Sequence, residues 1–338
     1  MNKLRVAIYG TGNFANKTHI PNILTIPDVE IVAASDVNEV ALKSTVAEFG
    51  IPRSYEDANE MVDTEELDAL YSIVPAFART DVEIQAARKG IHIFSEKPQA
   101  RKMEVAVAIN KAIQEAGVIS TVGFRERYRP LFQEARRILS DKKIVHCRYQ
   151  SFRGLPAPSP TRNNNNRAWW SDFQKAGGPA FDWGVHGVDY IRFMTGEDVV
   201  RSQAFYHHPK ELDQALSCSF NMQMTNGATM TMITAAASNK NPSEPRFTIF
   251  YEGGYLAAHG YDRIEMNGET VWQWEGEQIN PWLKQDQTFL EAVRTGDSSH
   301  LLSDYQDGLQ SLAPILAGWE SADRGGACIE IHDYIKGV

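Results

Sequence analysis

Residues 6–15 read Val-Ala-Ile-Tyr-Gly-Thr-Gly-Asn-Phe-Ala, an apolar β-branched run that leads directly into the pattern Gly-x-Gly-x-x-Ala. After a strand, Gly10 would make a tight turn, Gly12 would let a pyrophosphate approach the main chain, and Ala15 would let the next helix pack closely. The free N–H groups at the start of that helix would face the phosphate oxygens. The stretch therefore predicts a dinucleotide-binding turn, with cofactor contacts at Gly10, Thr11, Gly12, Asn13 and Phe14.

A carboxylate lies at a suitable distance from this turn. The second predicted strand, residues 30–35, is followed directly by Asp36, about twenty residues beyond the glycines. A carboxylate there accepts hydrogen bonds from both ribose hydroxyls and repels a 2′-phosphate, so it favours NAD over NADP. One alternative is that Asp36 only caps the next helix. Another is a methyltransferase, which can also use a glycine loop and an acidic residue, so these residues alone do not establish redox chemistry.

The first part of the chain alternates strand and helix patterns. Short apolar β-branched runs alternate with helix-period segments up to Gly123, which is the pattern of a parallel sheet covered by helices on both faces. We therefore predict an α/β domain over residues 1–123, a doubly wound parallel sheet of the Rossmann type. The predicted strands are 4–9, 30–35, 69–74, 92–95 and 118–122, and the predicted helices are 38–49, 80–89 and 102–116, each followed by a glycine.

Residues 124–338 have a different pattern, in which strands alternate apolar and polar residues between tight turns. This part predicts an α+β domain with a mainly antiparallel sheet. Asn226-Gly227 and Asn267-Gly268 are signals for two-residue hairpin turns of type I′, in which both central residues need positive φ. A two-residue turn at 226–227 would place Met222 opposite Thr231 and Phe220 opposite Ile233. One face of the sheet would then cover a helix and the other a partner subunit, or the strand would be buried on both faces.

Two further patches carry candidate catalytic groups. Glu96-Lys97-Pro98 lies at the carboxyl end of the predicted strand 92–95, where open α/β sheets bind their ligands. Pro98 restricts Lys97 to an extended conformation, which could aim the amine into a cleft. Val74 and Pro75, at the end of the neighbouring predicted strand, are further candidates for cofactor contact. Asp182 and His186 are four residues apart, which on a helix places them on one face.

With these motifs the sequence resembles the glucose-fructose oxidoreductase and inositol dehydrogenase family, Gfo/Idh/MocA, over nearly its whole length. The Glu-Lys-Pro and Asp-x-Gly-x-His patterns are the specific part of the resemblance. The resemblance implies that Lys97, Asp182 and His186 form the catalytic group, and that Glu96 and Lys97 lie beside the nicotinamide ribose. It also implies that the second domain has a large open-faced sheet, which often mediates formation of a homodimer or homotetramer.

The chain departs from the family pattern at the cofactor edge and before the glycine-rich stretch. Where members usually carry Pro-Asn and then His, this chain has Pro75-Ala76 and then Arg79, so a contact at the cofactor edge is altered. Where a Trp-Arg pair commonly precedes the glycine-rich stretch, this chain has two tryptophans, which removes a cation and adds aromatic surface. We therefore predict substrate contacts at Trp169, Trp170 and Tyr128 and a cofactor contact at Arg125, with packing as the alternative role of each.

Oxidation of a secondary alcohol needs a base for the hydroxyl proton and a positive charge near the developing alkoxide, while hydride leaves for nicotinamide C4. His186 suits the first task because the ordinary pKa of histidine lies near neutrality, and Lys97 suits the second, although the two could exchange roles. Asp182 would bind a second substrate hydroxyl or orient the imidazole.

The sequence thus predicts an NAD(P)-dependent oxidoreductase that transfers hydride between nicotinamide and a CH–OH or C=O group. The expected substrate is a sugar, a cyclic polyol or a related small molecule, and the expected cofactor is NAD in preference to NADP. The alternative is a catalytically silent dinucleotide-binding protein that senses cofactor or ligand and passes this on by association.

Composition narrows the range of other partners. The 338 residues carry a formal net charge of −9, and no basic run suggests binding to nucleic acid or to an anionic membrane. No apolar stretch is long enough to span a bilayer, and the N-terminus lacks the organisation of a signal peptide. Cys147, Cys218 and Cys328 form neither a disulfide framework nor a metal-binding pattern. We therefore expect a cytoplasmic protein that binds a small-molecule substrate and no metal.

Overall fold

The computed structural model describes residues 3–155, 175, 177–210, 212, 214–238 and 244–337. Its contacts divide the chain into two units. The first unit comprises Met1–Tyr128 and Ile279–Leu309, and the second comprises Arg129–Gln278 and Gln310–Val338. The sequence did not predict that residues 279–309 belong to the first unit. The domain boundary between residues 123 and 124 stays a prediction.

The strands of the first unit are β1 (Leu4–Tyr9), β2 (Val29–Ser35), β3 (Arg53–Tyr55), β4 (Ala69–Ser72), β5 (His92–Ser95) and β6 (Ser120–Val122). They form one parallel sheet in the order β3-β2-β1-β4-β5-β6. The predicted Rossmann-type sheet is therefore confirmed. The sequence missed β3, because this edge strand has only three residues and two of them are exposed, so no apolar run indicates it.

The helices of the described residues are, in chain order, α1 (Ile20–Leu24, preceded by a π-helical turn over Ala15–His19), α2 (Glu39–Phe49), α3 (Ala58–Thr64), α4 (Val82–Arg88), α5 (Met103–Ala116), α6 (Pro130–Leu139), α7 (Gly178–Asp182), α8 (Gly184–Thr195), α9 (Pro281–Thr295), α10 (Tyr305–Asp323) and α11 (Ile331–Lys336). Gly50 and Gly117 end α2 and α5 in the left-handed region, as predicted. Two short 3-10 turns cover Ala76–Ala78 and Arg125–Tyr128.

The strands of the second unit are β7 (Ile144–Arg153), β8 (Val199–His207), β9 (Ser217–Met224), β10 (Thr229–Ala236), β11 (Phe247–Tyr251), β12 (Gly254–His259), β13 (Arg263–Met266), β14 (Glu269–Gln273) and β15 (Ile329–Glu330). They form one sheet in the order β14-β13-β12-β11-β7-β10-β9-β8-β15. Only the β7–β10 pair is parallel among these described strands, so the predicted, mainly antiparallel sheet is confirmed.

Helices α8 and α10 pack closely on one face of this sheet. A Cβ added at Gly187 in α8 would lie 2.5 Å from the ring of Tyr149 in β7, and one at Gly318 in α10 would clash with Phe220 in β9. Along β9 and β10 the buried residues alternate with exposed ones. The outward-facing positions on these two strands are partly or fully exposed. In the described chain, therefore, neither strand is buried on both faces.

The two hairpins differ from each other in their turns. At 267–268 both residues have positive φ, 54° and 88°, and Met266 pairs with Glu269, as the predicted two-residue turn requires. At 226–227 only Gly227 has positive φ, 86°, and Met224 and Ala228 close a three-residue loop. The predicted register is therefore wrong by one residue: Met222 pairs with Met230 and Phe220 with Met232. The shift puts these apolar side chains together on the buried face.

Candidate active site

The glycine-rich turn between β1 and α1 has the backbone that the sequence predicts. Gly10 has φ 96°, and a Cβ there would lie 2.7 Å from the carbonyl oxygen of Ile73. A Cβ at Gly12 would meet nothing within 4 Å, so the main chain there is open to a ligand. Asn13 and Phe14 are exposed beside it, whereas Thr11 and Ala15 are buried. Main chain that a pyrophosphate could approach is thus present at the carboxyl end of β1.

Asp36 follows β2 and holds the same turn. Its Oδ2 accepts hydrogen bonds from Thr11 N at 2.8 Å and from Thr11 Oγ1 at 3.1 Å. Its Oδ1 accepts from Asn38 N at 2.8 Å. The N-cap of α2 is Asn38, whose side chain accepts from Ala41 N, so helix capping is not the role of Asp36. The carboxylate is therefore fixed beside the glycine-rich turn, as cofactor recognition would require.

The Glu96 side chain points into the interior of the first unit. Its Oε2 accepts from Lys97 N at 3.0 Å, and its Oε1 lies 3.2 Å from His19 Nε2. A Cβ at Gly123 would clash with this carboxylate, which explains the glycine after β6. Both carboxylate oxygens of Glu96 thus have partners inside the protein, and Lys97 follows directly from this anchored residue.

His19 lies between two carboxylates. Its Nδ1 is 2.9 Å from Asp286 Oδ1, and Asn22 donates to the other oxygen of Asp286 at 3.0 Å. Burial opposes the charged imidazole, but the charges and hydrogen bonds of Asp286 and Glu96 outweigh it and raise the pKa of His19 to about 10. His19 is therefore an imidazolium at neutral pH. Asp286 could not be found from the sequence, because it lies in α9, far along the chain.

Arg79 binds the main chain of Glu96, the residue whose side chain contacts His19. Arg79 is 4% exposed, and its guanidinium pairs with the fully buried Glu83 at 2.8 Å. It also donates to the side chains of Ser72 at 2.8 Å and Ser95 at 3.0 Å, which end β4 and β5, and to the carbonyl oxygen of Glu96. From the sequence alone, Arg79 is only a changed residue at the cofactor edge. The four-residue spacing of Arg79 and Glu83 was the signal for the ion pair.

Lys97, Val74 and Pro75 lie just beyond the carboxyl ends of β4 and β5. Lys97 follows the end of β5 by two residues and is partly exposed. Val74 and Pro75 follow β4 by two and three residues and are also partly exposed. These residues lie at the carboxyl ends of neighbouring parallel strands, which is where such sheets bind ligands.

Asp182 and His186 lie on two successive short helices. The sequence suggested one helix, but α7 ends at Asp182 and α8 begins at Gly184, with Trp183 between them. His186 is 6% exposed, and its Nδ1 lies 2.7 Å from the hydroxyl of Tyr190. Tyr190 is not among the site residues predicted from the sequence, although it stands four residues after His186, one turn along the same helix.

The remaining predicted contacts divide into two groups. Arg125 lies 4.5 Å above the ring of Trp282 and 3.2 Å from Glu126, and the hydroxyl of Tyr128 accepts from Leu302 N at 3.3 Å. These contacts hold parts of the first unit together, and cofactor or substrate binding by Arg125 and Tyr128 stays a prediction. Trp169 and Trp170 lie outside the described residues.

Within the described part of the chain, no group of three or more histidine, cysteine, aspartate or glutamate residues is arranged to hold a metal ion. None of the described helices is both long and apolar enough to cross a membrane.

Comparison with known proteins assigns the class. The family "Oxidoreductase family, NAD-binding Rossmann fold" matches residues 4–124, and the "GFO/IDH/MocA C-terminal domain" matches residues 132–257. The chain therefore belongs to the Gfo/Idh/MocA oxidoreductase family, and the resemblance of its motifs is confirmed.

Particular relatives are more distant. The scyllo-inositol 2-dehydrogenase (NAD(+)) of Bacillus subtilis is 27% identical over 225 residues, which are 64% of this chain and 63% of that protein. The chain thus matches less than two thirds of the length of that relative. The D-xylose 1-dehydrogenase (NADP(+)) 2 of Haloferax volcanii is 23% identical over 95% of this chain and 98% of its own. The crystal structure of an oxidoreductase from Thermotoga maritima shares the fold, with a TM-score of 0.83 at 21% identity, over 98% of this chain and 100% of that one.

The charge of His19 makes the stability of the first unit depend on pH. Because the pKa in the folded state, about 10, lies above the ordinary 6.5, the contribution of the imidazolium is complete below pH 6.5 and is lost as the pH rises towards 10. We expect wild type to lose stability relative to His19→Gln between pH 7.5 and 9.5, by up to about 1.4 kcal/mol per pH unit. Urea unfolding at several pH values measures this difference.

His92→Gln is the matched control for this titration. Burial lowers the pKa of His92, so its proton is already lost below this pH range. The stability difference between wild type and His92→Gln should therefore stay constant from pH 7.5 to 9.5. An equally constant difference for His19→Gln would show that His19 is not charged in the folded protein.

Proposed function

We propose that the protein is an NAD(P)-dependent oxidoreductase that transfers hydride between nicotinamide and a CH–OH or C=O group of a sugar, a cyclic polyol or a related small molecule. The observation that carries the proposal is the open main chain at Gly12, held by the hydrogen bonds from Thr11 to Asp36. Membership of an oxidoreductase family with an NAD-binding Rossmann fold supports the same assignment. The two relatives described above are named for an inositol and for an aldose, which supports the substrate class.

Three residues supply the chemistry in this proposal. His186 takes the hydroxyl proton, and the ammonium of Lys97 stabilises the developing alkoxide. Asp182 binds a second hydroxyl of the substrate. Bound dinucleotide supplies the hydride acceptor, and the chain supplies its phosphate-binding turn at Gly10–Gly12 and its ribose-binding carboxylate at Asp36. Trp169, Trp170 and Tyr128 are proposed as substrate contacts, and Val74, Pro75, Glu96 and Arg125 as residues around the nicotinamide half.

The catalytic roles can be tested by single substitutions. We expect Lys97→Met and His186→Ala each to lower kcat/KM by about 100-fold or more with the best substrate of a panel of inositols and aldoses. Binding of NADH, followed by its fluorescence, should change less than threefold in His186→Ala. Lys102→Met is the control, because Lys102 is an exposed lysine that pairs with Glu104 on the surface.

Each outcome has a distinct meaning. Turnover near wild type in either variant removes that residue from the mechanism. If wild type binds NADH but oxidises no member of the panel and reduces none of the corresponding ketones or lactones, the dinucleotide-binding sensor replaces the enzyme. If it binds S-adenosylmethionine and not NADH, both proposals fail.

We further propose that NAD is preferred over NADP. A 2′-phosphate near the Asp36 carboxylate would meet like-charge repulsion of about 1 kcal/mol or more at 4 Å.

Asp36→Asn should therefore lower the dissociation constant of NADPH divided by that of NADH at least about fivefold. Thr11→Val is the control, because it removes one hydrogen bond to Asp36 but keeps the charge of Asp36. It should weaken the binding of NADH and of NADPH by the same factor. A fall of the ratio in Thr11→Val as large as in Asp36→Asn would assign the preference to the shape of the turn and not to charge.

We also propose that the protein forms a homodimer or homotetramer through the sheet of the second unit. The face opposite α8 and α10 leaves large apolar side chains exposed. Among them are Phe205, Ile233 and Phe250, with exposed fractions of 52%, 39% and 37%.

Light scattering should give two or four times the chain mass of 37.9 kDa. The double variant Ile233→Lys/Phe250→Lys should give the monomer mass, whereas Val40→Lys, on an exposed helix of the first unit, should not. A monomeric wild type would exclude the proposal.

A further inference from the structure

His186 and Tyr190 form a buried hydrogen-bonded pair on α8. The distance from His186 Nδ1 to the tyrosine hydroxyl is 2.7 Å, and the two rings are nearly parallel, with centroids 5.3 Å apart and an interplanar angle of 27°. The exposed fractions of the two residues are 6% and 5%. Because the residues are four apart on one helix, the backbone itself sets the geometry of the pair.

The ring of Tyr190 has little freedom to move. It packs against Phe132 from α6, with centroids 4.9 Å apart, and against Phe247 from β11, at 6.2 Å. These contacts are with the ring and do not involve the hydroxyl. Packing therefore fixes the place of the hydroxyl, and the hydroxyl in turn fixes the plane of the imidazole.

The pair determines which nitrogen of His186 can exchange a proton with a substrate. A tyrosine hydroxyl can accept a hydrogen bond as well as donate one, and it occupies Nδ1. If Nδ1–H donates to Tyr190, the lone pair of neutral histidine is at Nε2, and Nε2 can take a proton. After the transfer the imidazolium keeps its bond from Nδ1, which becomes charge-assisted and stronger. The hydroxyl thus supports both states of a general base.

We propose that Tyr190 is a positioning residue for His186, which holds the imidazole in the Nδ1–H tautomer and assigns Nε2 to the proton-transfer step. The inference rests on the proposed function, in which His186 is the base. It gives Tyr190, and not Asp182, the task of orienting the imidazole at Nδ1. Asp182 keeps the role proposed above, which is to bind a second hydroxyl of the substrate.

Tyr190→Phe removes only the hydroxyl and keeps the ring contacts with Phe132, Phe247 and His186. We expect kcat to fall about 10- to 100-fold, the loss typical when a residue that orients a metal-bound histidine is removed, while KM and the dissociation constant of NADH change less than threefold. In the oxidation direction, the acid limb of the profile of kcat/KM against pH should move to lower pH, because the buried imidazolium loses its hydrogen-bond acceptor. A purely structural role would not move this limb.

Tyr251→Phe is the matched control. Tyr251 is also a buried tyrosine of the second unit, at 8% exposure, and it lies at the end of β11 outside the proposed catalytic group. It should keep the kcat and the pH profile of wild type. Thermal unfolding of both variants checks that neither loses the fold.

A spectroscopic readout tests the tautomer without relying on turnover. In 15N NMR spectra of the free protein, with the His186 signals identified by their loss in His186→Gln, wild type should show Nδ1 protonated and Nε2 unprotonated. Tyr190→Phe should show a mixture of the two tautomers. Wild-type kcat, pH profile and tautomer in Tyr190→Phe would overturn the role of Tyr190 and leave His186 as the base. Wild-type turnover in His186→Gln would instead overturn the proposed base, and with it this inference.

Discussion

Burial of the Glu96 carboxylate is the constraint on which the arrangement around Lys97 depends. Removing an ion from water costs on the order of several kcal/mol unless a partner compensates it. The compensation comes from the His19 imidazolium at the carboxylate, while Arg79 binds the main-chain carbonyl of the same residue. Asp286 is needed in turn to keep His19 charged. The candidate amine therefore follows a residue whose side chain and main chain are both fixed.

Such an arrangement has a cost that apolar packing would avoid. Replacing a buried ion pair by well-packed hydrophobic residues is often neutral or stabilising, so buried charges by themselves are weak evidence for stability. What the charges of Arg79 and His19 provide is direction: each hydrogen bond defines a position and an orientation, which dispersion contacts do not. The pair of His186 and Tyr190 follows the same logic in the second unit, with a neutral hydroxyl in place of a charge.

Much of the fold could be predicted from the sequence, because local signals specify it. Local sequence is enough to predict β1 and β5, from their apolar runs. It is also enough to predict the ends of α2 and α5, from the glycines that follow them. The hairpin at 226–227 shows the limit: one residue of turn length decides which side chains share a face, and Asn-Gly fits both turns. Asp286 and β3 could not be found, because the first depends on a contact distant in sequence and the second has no apolar run. Arg79 with Glu83 and His186 with Tyr190 were accessible through their four-residue spacing.

The return of residues 279–309 to the first unit has a consequence for how the chain is made. Phe289 and Leu290 belong to the same apolar core as β1 and β5, and Asp286 lies beside His19. A ribosome that has released residues 1–128 has therefore not yet made the pieces that complete this core. Residues 129–278 of the second unit are synthesised before residues 279–309. Part of the interior of the nascent Rossmann sheet therefore stays uncovered until residues 279–309 emerge.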